Sequence, residues 1–146
     1  MNYLRRRCLE SKRICGGKEM PVAGNKYRVV VKPSHIDWGE YRNPTNRRPI
    51  KGESYVKIPS QYARLYNIRR GDMFIAHFKN GCPSIHIKAS GNGPCEMGVQ
   101  YAKQFEGVGV GACKAFTPWY QACNVKVGDE VLVEFLSPTE VVFEII

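Results

Sequence analysis

Two stretches of this chain, 57 residues apart, are near copies of one another. Ser60-Gln61-Tyr62 through Asn67-Ile68-Arg69-Arg70-Gly71-Asp72 is echoed by Thr117-Pro118-Trp119 through Asn124-Val125-Lys126-Val127-Gly128-Asp129. Each copy reads as a capping residue (Ser60 or Thr117), one or two helical turns, an Asn-aliphatic pair, a basic residue, and Gly-Asp opening a strand. Phe74, Ala76 and Phe78 after the first Gly-Asp match Val131, Val133 and Phe135 after the second, and Lys57 ahead of the first copy matches Lys114. A period of this size marks one supersecondary unit used more than once. Two copies predict a pseudo-symmetric single domain rather than a solenoid, which needs three.

The charge is distributed against that symmetry. Residues 1–52 carry 13 Lys/Arg and 4 Asp/Glu, whereas residues 53–146 carry nine of each, so the net +9 of the chain sits ahead of the first copy. A neutral body with a basic leading third points to a polyanion, nucleic acid being the commonest. For residues 1–24 the alternative is a solvated tail. The basic N-terminus has no apolar run behind Arg5-Arg6-Arg7, so a secretory signal is not expected, nor any membrane partner. Six cysteines (8, 15, 82, 95, 113 and 123) without a Cys-x2-Cys pair are read as free thiols of a reducing cytosol, with metal ligation as the alternative.

Residues 1–25 form a basic extension, with a short helix over 3–14 as one option, and residues 26–146 the folded domain. Strands are expected over Tyr27–Lys32, Ser54–Ile58, Met73–Phe78, Ser84–Lys88, Glu130–Leu136 and Glu140–Ile146, from period-two alternation and turn residues between them. Short helices follow the capping residues. Residues 96–115 are harder to read, although Gly107-Val108-Gly109-Val110-Gly111 suggests a strand closely approached by another backbone. The expected fold is mostly β: a seven- to eight-stranded open pseudobarrel with two short helices and an internal pseudo-twofold repeat.

Between Pro33 and Gly52 the apolar pattern stops for twenty residues, a length that is usually functional or disordered. Trp38 and Tyr41 are poor residues for a solvating linker, so the segment is read as an ordered arm. Arg42, Arg47 and Arg48 offer planar donor forks for guanine edges or phosphates, and Asn43 and Asn46 can pair bidentately with adenine. Trp38 either anchors the arm to the barrel or lies on the nucleic acid. Catalytic patterns fail in turn. His86-Ile87-Lys88 lacks the downstream Asp of phospholipase-D-type hydrolases, and Glu10-Ser11-Lys12 lacks the preceding aspartate of a metal nuclease. His35 with Asp37 has no partnered nucleophile. No catalytic residue, metal or cofactor is expected, and the chain is not read as an enzyme.

These residues resemble a family. The repeated strand, short helix and Asn-aliphatic-basic-x-Gly-Asp unit is similar to the swapped-hairpin units of bacterial AbrB-type regulators. Two fused units resemble the DNA-binding pseudobarrel of plant B-three transcription factors and of restriction-endonuclease recognition domains. His35-Ile36-Asp37-Trp38-Gly39-Glu40, then Arg42-Asn43-Pro44-Thr45-Asn46-Arg47, then Tyr55-Val56-Lys57-Ile58-Pro59-Ser60 looks like the Asn-Trp-Gly-Gln … Arg … Asn … Tyr-Ile-Pro-Ile-Pro-Ser segment of phospholipase-D-type restriction endonucleases.

The resemblance covers residues 27–146 and implies two loops gripping the DNA major groove, an N-arm after the first strand and a C-arm after the fourth. The N-arm would be 33–52, with Trp38, Tyr41, Arg42, Asn43, Asn46, Arg47, Arg48 and Lys51 as contacts, and Lys57 beside it. The C-arm would be 88–95, with Ser90 and Asn92 reaching bases and Lys88 a phosphate. The implied role is sequence-specific binding of double-stranded DNA, as the recognition domain or subunit of a restriction system working with a separate nuclease, or as a regulator. Its place would be the cytoplasm at the nucleoid, or the nucleus in a eukaryote. The rivals are an RNA-binding β-barrel with stacking aromatics, and a small metal- or thiol-dependent enzyme using Cys82, Cys95 and His86.

Overall fold

The computed structural model describes residues 13–15, 18–36 and 52–146. Its strands are β1 (Arg13–Cys15), β2 (Lys18–Met20), β3 (Lys26–Val30), β4 (Val56–Lys57), β5 (Met73–Phe78), β6 (Ile85–Ser90), β7 (Cys95–Glu96), β8 (Val99–Gln100), β9 (Gln104–Gly107), β10 (Glu130–Ser137) and β11 (Glu140–Ile145). Seven of them form one sheet in the order β3-β10-β11-β5-β6-β9-β4. Every neighbouring pair is antiparallel except β11 with β5. The sheet curls almost into a barrel and leaves one open seam, between the edge strands β3 and β4. This is the open, mostly β pseudobarrel that the alternation predicts.

The barrel closes around aromatic side chains. Phe74, Ala76 and Phe78 of β5 and Val131, Val133 and Phe135 of β10 are all buried, as period-two patterning requires. Phe143 of β11, fully buried, stands within 5.3–5.8 Å (ring centroids) of Phe78, Phe105, Phe116 and Trp119. Most of these contacts are edge-on or tilted, the arrangement that aromatic quadrupoles favour.

The two repeat copies fold alike, bond by bond. Asn67 and Asn124 adopt left-handed backbone, φ 55° and 50°. Ile68 N–H then reaches Ala63 O (2.9 Å) and Val125 N–H reaches Tyr120 O (3.1 Å). Asp72 Oδ2 accepts the Arg69 N–H (3.0 Å), and Asp129 Oδ2 the Lys126 N–H (2.9 Å). Gly71 and Gly128 follow at φ 95° and 101°. Gly71 N–H donates to Ala89 O (2.8 Å) near the end of β6, and Gly128 N–H to Val31 O (2.9 Å) just past β3. Ala89 N–H and Val31 N–H return the bond to Asp72 O and Asp129 O, 2.8 Å each. β6 and β3 are therefore equivalent strands of the two halves.

A Cβ at Gly71 or Gly128 would meet nothing within 4 Å, so only backbone strain opposes one. Gly71→Ala and Gly128→Ala should each cost about 1–2 kcal/mol, by similar amounts and additively, in urea denaturation.

Three short α-helices are described rather than two: α1 (Pro33–Ile36), α2 (Ser60–Leu65) and α3 (Thr117–Ala122). The extra one, α1, opens the segment read as an arm. Pro33 pre-sets its first φ, and Lys32 N–H donates to His35 Nδ1 (3.1 Å) while His35 N–H donates to Lys32 O (2.9 Å). The expected side-chain caps are absent. Ser60 is the first residue of α2 and makes no capping bond. Thr117 Oγ1 instead donates to Gly52 O and meets Ser54 Oγ at 2.7 Å, tying α3 to the residues that lead into β4. The option of a helix over 3–14 also fails where it can be seen, since Arg13–Cys15 pairs with β2 as a hairpin.

Candidate functional site

The equivalent strands β3 and β6 lead into the two segments read as arms. After β3 comes the expected N-arm, and eight candidate contacts on it (Trp38, Tyr41, Arg42, Asn43, Asn46, Arg47, Arg48 and Lys51) lie outside the described residues. Its two ends are described and meet at one place. Tyr55 N–H donates to His35 O (3.0 Å), Ser54 N–H to Cys113 O (2.8 Å), and Ile36 and Gly52 line one cavity of about 340 Å³ with Thr117 and Tyr120. The arm is thus rooted on α3, part of the second repeat copy.

After β6 the chain does not run as a featureless polar loop over 88–95. It makes a longer, tightly bonded excursion to Lys103, with β7 and β8 paired as a small hairpin. Met97 (φ 50°) and Gly98 (φ 80°) form its tip, two left-handed residues in a row as a two-residue hairpin turn demands. Gln100 Nε2 donates to Gly93 O (2.9 Å) and Tyr101 O (3.0 Å), and Gly93 N–H to Tyr101 O (3.1 Å). A Cβ at Gly93 would sit 2.4 Å from Ala102 O, so only glycine fits. Among the expected contacts, Asn92 is exposed but its Oδ1 accepts from Arg70 (2.9 Å). Ser90 O accepts the Lys103 N–H (2.7 Å), and Lys88 stands 4.0 Å from the largely buried Glu106 carboxylate. Lys88 therefore already has an anionic neighbour.

Lys57 has none among the described residues, and its surroundings are basic. It is half-buried on β4, its carbonyl accepting from Tyr27 Oη (2.9 Å). Together with Lys103 and Asn92 it lines a cavity of about 340 Å³ on the second-loop side. With Lys32, Ser34, His35, Tyr55 and Lys103 it lines another of about 450 Å³ on the arm side. Burial pushes the Lys57 ammonium below the ordinary lysine pKa, and Lys103 and Lys32 push it the same way. Burial also dominates at His35, which is 5% exposed; with Lys57 and Lys32 added, its pKa falls to about 4, leaving a neutral imidazole at pH 7. The charge count located basicity ahead of residue 52 but missed Lys103 and the meeting of three lysines from separate segments. No local pattern announces a cluster assembled by sheet order.

Of the residues of the rival readings, Tyr55 borders this cluster and the others do not. Tyr55, Trp119 and Tyr120 are buried, and Tyr62 stacks between Tyr27 (5.2 Å) and Tyr66 (5.8 Å). Cys82, Cys95 and Cys123 are free thiols; Cys95 and His86 are exposed, while Cys82 Sγ accepts from Asn80 (3.1 Å). Among the described residues no three His, Cys, Asp or Glu side chains come together as a metal site. His77 bonds Ser84 Oγ through Nδ1 (2.7 Å) and Glu140 through Nε2 (3.0 Å), which joins β5 and β11 to the start of β6. The ring is reversed relative to a hydrolase triad, where the serine meets Nε2. Among the described residues no helix is long and apolar enough to cross a membrane. A scan of protein-family models finds none that matches the chain, and a search of curated proteins finds no match either.

Proposed function

We propose that the chain binds double-stranded DNA sequence-specifically, through the arm at 33–52 and the loop at 91–103. The observation that carries this is positional: the two segments leave the barrel from register-equivalent strands and converge on Lys57. Counted along the chain, the sheet strands are β3, β4, β5, β6, β9, β10 and β11, so the arm follows the first and the loop the fourth. That is the placement of the two gripping arms in the DNA-binding pseudobarrels that the sequence resembles. The burial of Tyr55, Trp119 and Tyr120 supports a duplex over unpaired RNA, since these rings are not free to stack on bases. The role is the recognition domain or subunit of a restriction system partnered by a nuclease, or a regulator, and no catalytic residue, metal or cofactor is assigned.

In this reading phosphate contacts supply affinity and a few Arg and Asn side chains supply base choice. Selection of bound duplexes from a random pool, repeated with Arg47→Ala and Arg48→Ala, tests both. Each replacement should cost roughly 5- to 100-fold in affinity and relax one or more positions of the selected motif. A change that removes only a phosphate contact should weaken all sequences alike and flatten the log–log salt slope by about one unit. An unchanged motif at unchanged affinity removes the arm as the reader.

A further inference from the structure

The sheet order leaves β3 and β4 as unpaired edges facing one another, and the 450 Å³ cavity opens along that seam. Val29 and Val30 wall it on the β3 side and Pro59 beyond β4, while Lys57 lies between Lys32, at the arm's root, and Lys103, where the second loop ends. Ser34 and Tyr55 bring hydroxyls 3.2 Å apart into the same space. Three ammonium groups and two hydroxyls line the cavity with no acid among its described lining residues, and the three like charges repel one another. Half-burying a lysine beside two others costs free energy unless an anion compensates it.

We propose that this seam seats one backbone phosphodiester of the bound duplex, with Lys57 at its floor and Lys32 and Lys103 on either side. The proposal rests on the DNA-binding reading and adds to it a single fixed point on the backbone between the two gripping segments. A tetrahedral oxyanion suits the site because its free oxygens diverge, so ammonium donors on different sides of it can share them. A phosphodiester carries one negative charge and two free oxygens, so it neutralises the trio in part and leaves the hydroxyls to complete its shell. The seat gives register and orientation, not base choice.

The test neutralises one phosphate at a time. Methylphosphonate is placed at successive backbone positions of a selected duplex, and binding is measured for the full chain and for Lys57→Met. For the native chain, one position should cost roughly ten-fold where its neighbours cost less. Lys57→Met should lose a comparable factor on the unmodified duplex and become insensitive at that same position. Lys103→Gln, an exposed change that leaves the core untouched, should reproduce part of the effect. A flat scan, or a Lys57→Met protein still sensitive at that position, overturns the seat while leaving duplex binding intact. If no duplex binds, the DNA reading fails, and inorganic phosphate alone decides the seat. Millimolar orthophosphate should then shift the NMR signals of Lys57 and His35 in the native chain but not of His35 in Lys57→Met; no shift in the native chain overturns it.

Discussion

Replacing Gly107 with alanine should destabilise the fold by about 3 kcal/mol, and adding Ala115→Gly should restore most of that loss. Gly107 is buried at the end of β9, paired with Ile87. A Cβ there would stand 2.4 Å from Ala115 Cβ and 3.0 Å from Ala112 O, on the 3-10 turn at Ala112–Lys114. The first distance is far inside van der Waals contact, so strand or turn must shift to admit the methyl. Ala115→Gly alone removes a methyl and adds backbone freedom, so by itself it should cost about 0.5–1 kcal/mol. Two destabilising changes should therefore combine into a protein more stable than Gly107→Ala alone. Urea midpoints at unchanged m-value read this directly. Strictly additive losses would mean that the backbone gives way and the close approach does not constrain the fold.

Gly107 also marks how far the sequence could be read. The glycine-rich run suggested a strand approached by another backbone, and at Gly107 that holds. Gly109 and Gly111 do something else: both have positive φ and open space where a Cβ would go, so they are turn residues. Composition alone does not separate these two uses of glycine. The 57-residue echo was more informative, because a turn such as Asn-Ile-Arg-Arg-Gly-Asp is closed by local bonds, Asp72 to Arg69 and Asp129 to Lys126. Six strands were legible for the same reason, since alternation is local. The hairpin of β7 and β8 was not, because two-residue strands carry no period.

The site divides along the same line. Arg42, Arg47 and Arg48 stand out by charge in sequence, yet the lysine trio at the seam does not. Lys32, Lys57 and Lys103 are separated by tens of residues, and only the order β3-β10-β11-β5-β6-β9-β4 brings the two sheet edges and the loop end together. Sheet order is set by the pairing of distant strands, which no window of sequence contains. Ser60 and Thr117 show the opposite error. Their spacing fits a helix cap, but in Thr117 a tertiary acceptor, Gly52 O, takes the hydroxyl.

Acidification from pH 7 to pH 4 should remove about 3 kcal/mol of folding stability through His35 alone. In the unfolded chain this imidazole protonates near its ordinary value of 6.5, whereas burial, Lys57 and Lys32 hold it to about 4 in the fold. Below pH 6.5 the unfolded state therefore binds a proton that the folded state does not. Stability falls steadily from there until the folded imidazole also protonates near pH 4. Protonation then turns Nδ1 from acceptor to donor and breaks its bond with the Lys32 N–H, at the root of the arm. His35→Gln keeps a carbonyl acceptor and has no charge to gain. The stability difference between native and variant proteins, followed by urea denaturation from pH 7 to pH 4, isolates the one group from the carboxylates that titrate in both. That difference should shrink by about 3 kcal/mol, and parallel curves would mean that His35 meets solvent more freely than its burial indicates. Orthophosphate supplies the link to the seam. An anion beside Lys57 and Lys32 opposes the two charges that depress His35, so the acid loss should be smaller in phosphate than in chloride at equal ionic strength. The same salt comparison in Lys57→Met should show little difference, because the seat that holds the anion is gone.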